Sequence, residues 1–235
     1  MYELIIANKN YSSWSLRPWA LMKARGIPFT ERLIPFPGGD SHAVYKAHTP
    51  SGRVPCLVDD GWKVWDSLAI VEYLAERHPG VWPADAKARA WSRSAAAEMH
   101  SSFATLRDIC TMNCGIRVAL REKPAALLRD VARIGELWNE GISRFGGPYL
   151  AGSEFTGADA FYAPVVFRAQ TYGLEFGGEA DAYRERMLAH PALRSWYEAA
   201  LAEPWREKGH EDEAKQYGEW TADLRLAAGT SAAPA

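Results

Sequence analysis

Near its N-terminus the chain reads Asn10-Tyr11-Ser12-Ser13-Trp14-Ser15-Leu16-Arg17-Pro18-Trp19. This stretch follows the short apolar run Leu4-Ile5-Ile6-Ala7 and precedes residues with helical spacing, so three serines sit where a strand passes into a helix. Unpaired backbone N–H groups at such a helix N-terminus, together with the helix dipole, favour an anion. Capping the helix is the more common role of serine at this position. The alternative is that a serine hydroxyl donates to a thiolate and keeps it ionised.

The pattern on either side of this junction predicts a compact α/β layer in the order β-α-β-loop-β-β-α. The first strand and helix lead into a second strand of a βαβ unit, which favours parallel pairing. Two later strands flank Asp59-Asp60-Gly61, a spacing typical of a tight antiparallel hairpin. The predicted elements are a strand over 4–7, a helix over 15–25 closed by Gly26, strands over 29–34, 54–58 and 63–65, and a helix that opens at Asp66-Ser67.

Beyond residue 79 almost every segment has helical spacing, which predicts an all-helical second domain. The predicted organisation is an α/β domain over 1–79, a linker over 80–86, a helical domain over 87–222 and a disordered tail over 223–235. Helices are predicted over 86–99 with a continuation to 109, over 125–145, from near 156, over 180–188 and over 193–202.

Two local signals concern the helix that starts near residue 156. Thr156-Gly157-Ala158-Asp159 has the spacing of a capping box, which we interpret as a folding element and not as a reactive site. Pro164 follows within the same run, where it should kink or break the helix.

Composition and charge exclude several classes of function. The 235 residues are 48% hydrophobic and 24% charged, and the formal net charge of -2 gives no electrostatic basis for binding nucleic acid or an acidic membrane surface. No apolar run approaches the roughly 20 residues that span a bilayer, and the N-terminal residues lack the features of a secretory signal. Cys56, Cys110 and Cys114 and the scattered histidines form no zinc motif, so we expect buried reduced thiols, a cytoplasmic location and no metal.

Two further motifs carry candidate chemistry. In Val54-Pro55 a proline opens a strand, and a cis peptide bond there would turn the Val54 backbone toward a ligand instead of into the sheet. In Asp66-Ser67 an acid and a hydroxyl begin a helix. Asp66 is well suited to be a plain N-cap. The functional alternative is recognition of an α-amino-acid head, with the ammonium on Asp66 and the carboxylate on Ser67 and the helix N–H groups.

The order of these motifs resembles the cytosolic glutathione transferases, in particular the bacterial serine-type branch, with some likeness to the zeta class. The resemblance covers roughly residues 1 to 205 and rests on the strand, Ser12-Ser13-Trp14-Ser15, Val54-Pro55, Asp66-Ser67 and Thr156-x-x-Asp159. It implies a thioredoxin-like N-terminal domain, an all-helical C-terminal domain and a cytoplasmic homodimer with a role in detoxification. It also implies that glutathione is the co-substrate and that Pro55 is cis.

The resemblance assigns roles to individual residues. Ser12 matches the hydroxyl that activates the thiol, with Ser13 as the alternative, and Ser15 is then the cap. The glutathione-binding set is Ser13, Trp14, Val54, Pro55, Asp66 and Ser67, and the pocket for the second substrate is lined by Trp14, His100, Phe103 and Arg107. Structural roles for His100, as an interdomain hydrogen-bonding group, and for Arg107, as a surface charge, remain open. His42, Lys46 and His48 are the candidate cations for the glycyl carboxylate.

The expected reaction follows from thiol chemistry. A free cysteine thiol has a pKa near about 8.5, and a hydroxyl that donates to sulfur at a helix N-terminus would lower that pKa. Zeta-class members place a cysteine where this chain has Trp14, and cysteine-type members carry one at the position of Ser12, so disulfide exchange is disfavoured. The leading hypothesis is conjugation of a small hydrophobic electrophile. The alternatives are an isomerase or lyase of the maleylacetoacetate isomerase type and a non-catalytic binding module.

Overall fold

The first domain contains a four-stranded mixed sheet. A computed structural model describes residues 1–225. The elements of this domain are β1 (Tyr2–Ile6), α1 (Ser13–Ala24), β2 (Phe29–Leu33), α2 (Ser41–Lys46), β3 (Cys56–Asp59), β4 (Trp62–Trp65) and α3 (Ser67–Ala75). The strand order is β2-β1-β3-β4, with β1 and β2 parallel and the other two pairs antiparallel. The predicted thioredoxin-like α/β layer is therefore confirmed, with the short helix α2 inside the predicted loop.

The β3–β4 hairpin turns where the sequence predicts it. Asp60 and Gly61 both have positive φ angles, 46° and 84°, which a two-residue hairpin turn requires and which glycine adopts without steric cost. Because β4 is the edge of the sheet, its residues Trp62 and Trp65 stay exposed in the single chain.

The second domain is helical and is built around one buried helix. Its helices are α4 (Ala86–Ser101), α5 (Ala104–Ile109), α6 (Ala125–Phe145), α7 (Gly157–Tyr172), α8 (Glu179–Ala189), α9 (Pro191–Ala202) and α10 (Lys208–Tyr217). Nearly every side chain of α7 is buried, as expected for a helix with apolar residues on all sides. Of the predicted kink or break at Pro164, the break does not occur, because α7 continues through Pro164 to Tyr172 with nearly all of its side chains buried.

The predicted capping box at the start of α7 is confirmed. The Asp159 carboxylate accepts the Thr156 N–H at 2.8 Å and the Thr156 hydroxyl at 3.1 Å. It also accepts the Leu150 N–H and the Tyr183 hydroxyl, both at 3.0 Å. Asp159 is completely buried, so these four donors replace the water that the carboxylate loses on folding.

Two strands correct the prediction that the second domain is entirely helical. β5 (Ile116–Leu120) and β6 (Gly218–Asp223) form an antiparallel pair. The sequence pattern does not indicate this pair, because the strands lie far apart in the chain and each is short. Asp223 ends β6 and Arg225 is buried, so the first residues of the predicted tail belong to the folded domain. Residues 226–235 lie outside the described residues.

The two domains share one apolar core. Helix α1 packs against α3 and β1 on one side and against α7 and α9 on the other. The buried cluster runs without interruption from Leu4 and Leu16 in the first domain to Phe161 in the second. This contact places the N-terminus of α1 at the domain boundary. No helix within residues 1–225 is long and apolar enough to cross a membrane.

Candidate functional site

The serine junction forms a short hydrogen-bonded chain. Helix α1 begins at Ser13, and Ser12 occupies the N-cap position without a side-chain cap bond. The Ser12 hydroxyl instead donates to Ser15 Oγ at 2.7 Å, and Ser15 Oγ also accepts the Ala7 N–H at 3.3 Å. The prediction that Ser15 caps α1 is therefore wrong. Ser15 lies in the first turn of α1 and accepts the N–H of Ala7, the residue directly after β1.

Ser13 and Trp14 present different surfaces at the same junction. Ser13 is almost fully buried, and in the part of the chain that the structure describes its hydroxyl makes no hydrogen bond. Trp14 is 37% exposed, which is unusual for a tryptophan at a domain boundary. The junction thus offers hydroxyls beside an exposed aromatic face.

A buried arginine lies beneath Trp14 and was not assigned a role from the sequence. Arg17 is fully buried, and its guanidinium lies 4.1 Å from the centre of the Trp14 ring and 4.9 Å from that of Phe161. Burial, followed by repulsion from Arg107 and Arg168, lowers the pKa of Arg17 well below its usual value. A signal was present in the sequence, because Arg17 is the one charged residue within the otherwise uncharged, mainly apolar run 16–22.

The donors of Arg17 are only partly used. Nη1 donates to Ser67 Oγ at 3.2 Å and lies 3.5 Å from His100 Nδ1. Among residues 1–225, Nε and Nη2 have no hydrogen-bond partner and no carboxylate forms a salt bridge with Arg17. A buried guanidinium in this state is suited to bind an anion.

The start of α3 supplies the acid of the cluster. Asp66 has φ 73°, a left-handed conformation that is rare outside glycine and concentrates at functional sites. Its Oδ1 accepts the N–H groups of Leu68 at 2.8 Å and Ala69 at 3.4 Å, so it is the N-cap of α3. Its Oδ2 lies 3.5 Å from His100 Nε2. Asp66 therefore caps the helix and presents its second oxygen to the domain boundary.

Of the four residues predicted to line the pocket for the second substrate, three lie close together. The Trp14 ring meets His100 edge to face at 5.2 Å, and the Arg107 guanidinium lies 5.1 Å from the Trp14 ring centre. Phe103 is nearly fully buried in the apolar core, so it presents little surface to a ligand. Arg107 also donates to the backbone oxygens of Met99 and Ser102, which fixes the position of its head group.

Burial lowers the pKa of His100, and the positive charges of Arg17 and Arg107 act in the same direction. Asp66 acts in the opposite direction. The net effect lowers the pKa of His100 below its ordinary value, which favours the neutral imidazole beside Asp66.

The Val54–Pro55 peptide bond is cis, which confirms the expectation from the sequence. The neighbouring Cys56 is buried and its pKa is raised to about 11 by burial, so it remains a protonated core thiol. The other two cysteines are also free and buried, as predicted, and burial raises the pKa of Cys110 to about 12.

The three residues predicted to bind the glycyl carboxylate of glutathione lie in or near α2. Lys46 Nζ donates to the Pro50 oxygen, and His48 Nδ1 lies 3.2 Å from Arg32 Nη2. The exposed His42 packs its ring against Gly52. This geometry does not select one of the three.

The main cleft of the structure lies apart from this cluster of site residues. A cleft of about 950 Å³ lies between the end of α3, the linker and the segment that joins α6 to α7, and it includes none of the predicted site residues. No group of three or more His, Cys, Asp or Glu residues within 1–225 is placed to hold a metal ion.

Comparison with known proteins identifies the family. The family model described as glutathione S-transferase, N-terminal domain, matches residues 11–77, and the model for the C-terminal domain matches residues 89–199. The chain belongs to the glutathione transferase superfamily. The N-terminal match includes every residue of the serine junction from Tyr11 onward, the cis proline and the start of α3. The C-terminal match includes His100, Phe103 and Arg107.

Two curated relatives of this glutathione transferase carry the name of an isomerase. The maleylacetoacetate isomerase of Pseudomonas aeruginosa is 29% identical over 209 residues, which are 80% of this chain and 92% of that protein. A probable maleylacetoacetate isomerase of Drosophila melanogaster is 28% identical over 191 residues, covering 78% and 83% of the two chains. Among solved structures, a theta-class glutathione S-transferase from Xanthomonas axonopodis pv. citri, with glutathione bound, superposes with a TM-score of 0.61 at 24% identity. That superposition covers 83% of this chain and 96% of the other and supports the same fold.

Proposed function

We propose that this glutathione transferase binds glutathione at the N-termini of α1 and α3 and adds its thiolate to a small hydrophobic electrophile. The observation that carries the proposal is the buried Arg17 guanidinium. Its Nη1 donates to Ser67, its other two nitrogens have no hydrogen-bond partner within residues 1–225, and it is close to the Asp66 carboxylate across His100. Opposite charges are thus available within one small region that contains the serine junction.

The γ-glutamyl head of glutathione matches this arrangement of charges. Its α-carboxylate would be bound by the hydroxyl and the N–H group of Ser67, at the N-terminus of α3, and by Arg17. Its ammonium would be bound by the exposed oxygen of Asp66. The Val54 backbone would pair with the cysteinyl part, and one of the cations around α2 would bind the glycyl carboxylate.

Ser12 would support the thiolate through the hydroxyl chain at the junction. The hydrogens of Ser12 and Ser15 can rotate, because a hydroxyl is both a donor and an acceptor. When a thiolate is present, Ser15 would donate to Ser12 and Ser12 to sulfur, while the Ala7 N–H keeps its acceptor. Each unit by which the thiol pKa falls requires about 1.4 kcal/mol, which one hydrogen bond to a charged group can supply. Ser13, whose hydroxyl makes no hydrogen bond within residues 1–225, is the alternative.

The second substrate would bind against Trp14, His100 and Arg107. The exposed indole provides an apolar face for a flat electrophile, and Arg107 places positive charge 5.1 Å from that face. The serine-type conjugation proposed here requires no protein thiol, in agreement with the burial of all three cysteines.

Isomerisation is the second candidate activity, because two relatives carry the name maleylacetoacetate isomerase. An isomerase would add the same thiolate reversibly to a double bond and release it again. Trp14 disfavours a direct transfer of that activity, since the zeta class has cysteine at this position. Comparing turnover of an activated aryl chloride with that of a cis-dienoic diacid would distinguish the two reactions.

Retention on immobilised glutathione, followed by conjugation of chlorodinitrobenzene, tests the proposed function. We expect retention and measurable conjugation. Binding without turnover of either substrate class would indicate a non-catalytic binding module. Absence of binding at millimolar glutathione would contradict the proposal.

A homodimer is the proposed assembly. Trp62 is 70% exposed at the start of the edge strand β4 and Trp65 is 48% exposed at its end, and large aromatic residues are enriched at subunit contacts. Light scattering should show a dimer, and Trp62→Glu should shift it toward the monomer. Trp205→Glu, which alters an exposed tryptophan after α9, is the matched control.

The free buried thiols suit a cytoplasmic location, which we also propose.

A further inference from the structure

We propose that the C-terminal segment of the chain is a clamp that positions the serine junction for catalysis. The clamp is defined as Glu203, Glu211 and Arg225, and it holds the β1–α1 loop, residues 7–12. This inference rests on the proposed function, because the loop carries Ser12. No sequence motif assigns a role to the three clamp residues, and all lie outside the two ranges matched by the family models.

The first attachment is at the hydroxyl of Tyr11, the residue before Ser12. This hydroxyl donates to Glu211 Oε1, and it accepts Arg225 Nη1 at 3.2 Å and the Glu207 N–H at 3.4 Å. Tyr11 itself is 3% exposed. A buried hydroxyl with three partners on the C-terminal segment has little freedom to move.

The clamp is itself rigidly held. Arg225 Nη2 donates to Glu211 Oε2 at 3.0 Å, and Arg225 Nε donates to Asp223 Oδ1 at 2.8 Å. The Arg225 side chain is 2% exposed, and the Leu224 N–H donates to the Gly115 oxygen at 2.8 Å beyond the end of β6. A buried arginine with two carboxylates has its charge satisfied, so its role here is structural.

The second attachment is at the loop backbone. The Glu203 carboxylate accepts the N–H groups of Lys9 at 2.6 Å and of Asn10 at 3.2 Å. The Asn10 side chain donates to Asn113 Oδ1 at 2.8 Å and accepts the Gly115 N–H at 3.0 Å. Residues 9, 10 and 11 are thus bonded in succession to the second domain, immediately before the serines.

Helix α10 also reaches the next loop of the sheet domain. His210 stacks on Tyr11 with ring centres 5.0 Å apart and contacts Phe36 at the same distance. Phe36 lies in the loop between β2 and α2, where its N–H donates to Asn8 Oδ1 at 2.7 Å. One helix therefore joins two loops that would surround glutathione.

Catalysis is sensitive to this positioning because a hydrogen bond to sulfur depends steeply on distance and angle. Displacement of Ser12 by about 1 Å would weaken its bond to the thiolate without removing the groups that bind the γ-glutamyl head. Loosening the clamp should therefore raise the pKa of bound glutathione while leaving its affinity nearly unchanged. A purely structural role would change stability alone.

Tyr11→Phe tests the clamp by removing one hydroxyl and keeping the ring. Tyr217→Phe is the matched control, because the Tyr217 hydroxyl, at the end of α10, also donates to a carboxylate, Asp108 Oδ2 at 2.9 Å, away from the junction. The readouts are the pH profile of kcat/KM, the ultraviolet absorbance of the bound thiolate and the KM for glutathione. We expect the profile of Tyr11→Phe to move up by about one pH unit, equivalent to about tenfold less thiolate below the pKa, with KM within about twofold. Tyr217→Phe should match the wild type.

Amide hydrogen exchange in the ligand-free protein separates failure of the clamp from failure of the proposed function. Exchange over residues 9–13 should increase in Tyr11→Phe and in Glu211→Gln, and not in Tyr217→Phe. If the wild type fails to bind glutathione, the proposed function is wrong and exchange alone decides whether the clamp holds the loop. An active wild type with an unshifted pH profile in both Tyr11→Phe and Glu211→Gln would overturn the clamp.

Discussion

Arg17 in α1 donates to the hydroxyl of Ser67 at the first position of α3, with Nη1 and Oγ 3.2 Å apart. This bond joins the two helix N-termini at which we place glutathione. Both residues are completely buried, and two further guanidinium nitrogens lack a partner within the described chain. The ligand-free protein thus carries a desolvated positive charge that a carboxylate would satisfy.

Arg17→Met should therefore weaken glutathione binding without weakening the fold. Hydrogen bonds to charged groups contribute about 1.5–3 kcal/mol, so we expect the dissociation constant to rise about tenfold to a hundredfold. The free energy of unfolding of the ligand-free protein should stay constant or rise, because the variant removes a buried charge without a carboxylate partner. Calorimetry and urea unfolding measure the two effects.

Arg93→Met is the control for this substitution. Arg93 is half-exposed and pairs with Glu72 at 3.1 Å, away from the site, so glutathione affinity should not change. Unchanged affinity in Arg17→Met would mean that the α-carboxylate of glutathione binds elsewhere.

Ser12→Ala should lower kcat/KM for chlorodinitrobenzene by about tenfold to a hundredfold, the range expected for one hydrogen bond to an anion. Its pH profile should shift upward, because the bound thiol then ionises less readily. Ser13→Ala serves as the comparison and should lose less than about threefold, a change below 1 kcal/mol. The reverse order of effects would transfer the thiolate-supporting role to Ser13.

His100 should make stability fall in acid. Its pKa is lower in the folded protein than the ordinary value near 6.5, so the unfolded chain binds the proton more readily. The stabilisation is present above about pH 6.5 and is lost as pH falls through the folded-state pKa. Urea unfolding from pH 7 to about pH 5 should show a smaller loss in His100→Gln than in the wild type. If the free energy of unfolding falls equally with pH in the two proteins, His100 does not contribute to the loss of stability in acid.

Asp159→Asn should destabilise the second domain strongly. The substituted amide places donors where four N–H and O–H groups converge on a buried carboxylate, and we expect a loss of about 3 kcal/mol in urea unfolding. Asp181→Asn is the matched control. Asp181 accepts two backbone N–H groups but is one-third exposed, so its loss should be about 1 kcal/mol. Equal losses of unfolding free energy in the two variants would contradict a special contribution of the buried Asp159 network to stability.

The sequence predicts those parts of the fold that depend on near neighbours. The order of strands and helices around the serine junction, the turn at Gly61 and the capping box at Asp159 all follow from patterns within a few residues. The pairing of β5 with β6 depends on segments at opposite ends of the second domain, and no local pattern indicates it. The continuity of α7 through Pro164 depends on packing that surrounds the helix on all sides.

The candidate site was predicted in part for the same reason. The motifs place Ser12, Asp66 and Ser67 at helix N-termini, where the structure has them. Ser15 was misassigned because a cap and a first-turn serine differ by only three positions, and the bond to Ala7 decides between them. The position of Arg17 beside Ser67 is a tertiary contact, so the sequence provides the residue but not its partner.

The single apolar core described above has a consequence for how the protein unfolds. Because α1 is buried between the sheet and α7, separating the domains would expose apolar surface on both of them at once. Heat and denaturant should therefore melt the chain in one cooperative transition, with no intermediate that retains a folded first domain. A fragment that ends at the linker would lack the surface that covers α1 and should aggregate, so we expect the proposed glutathione site to form only when both domains are present.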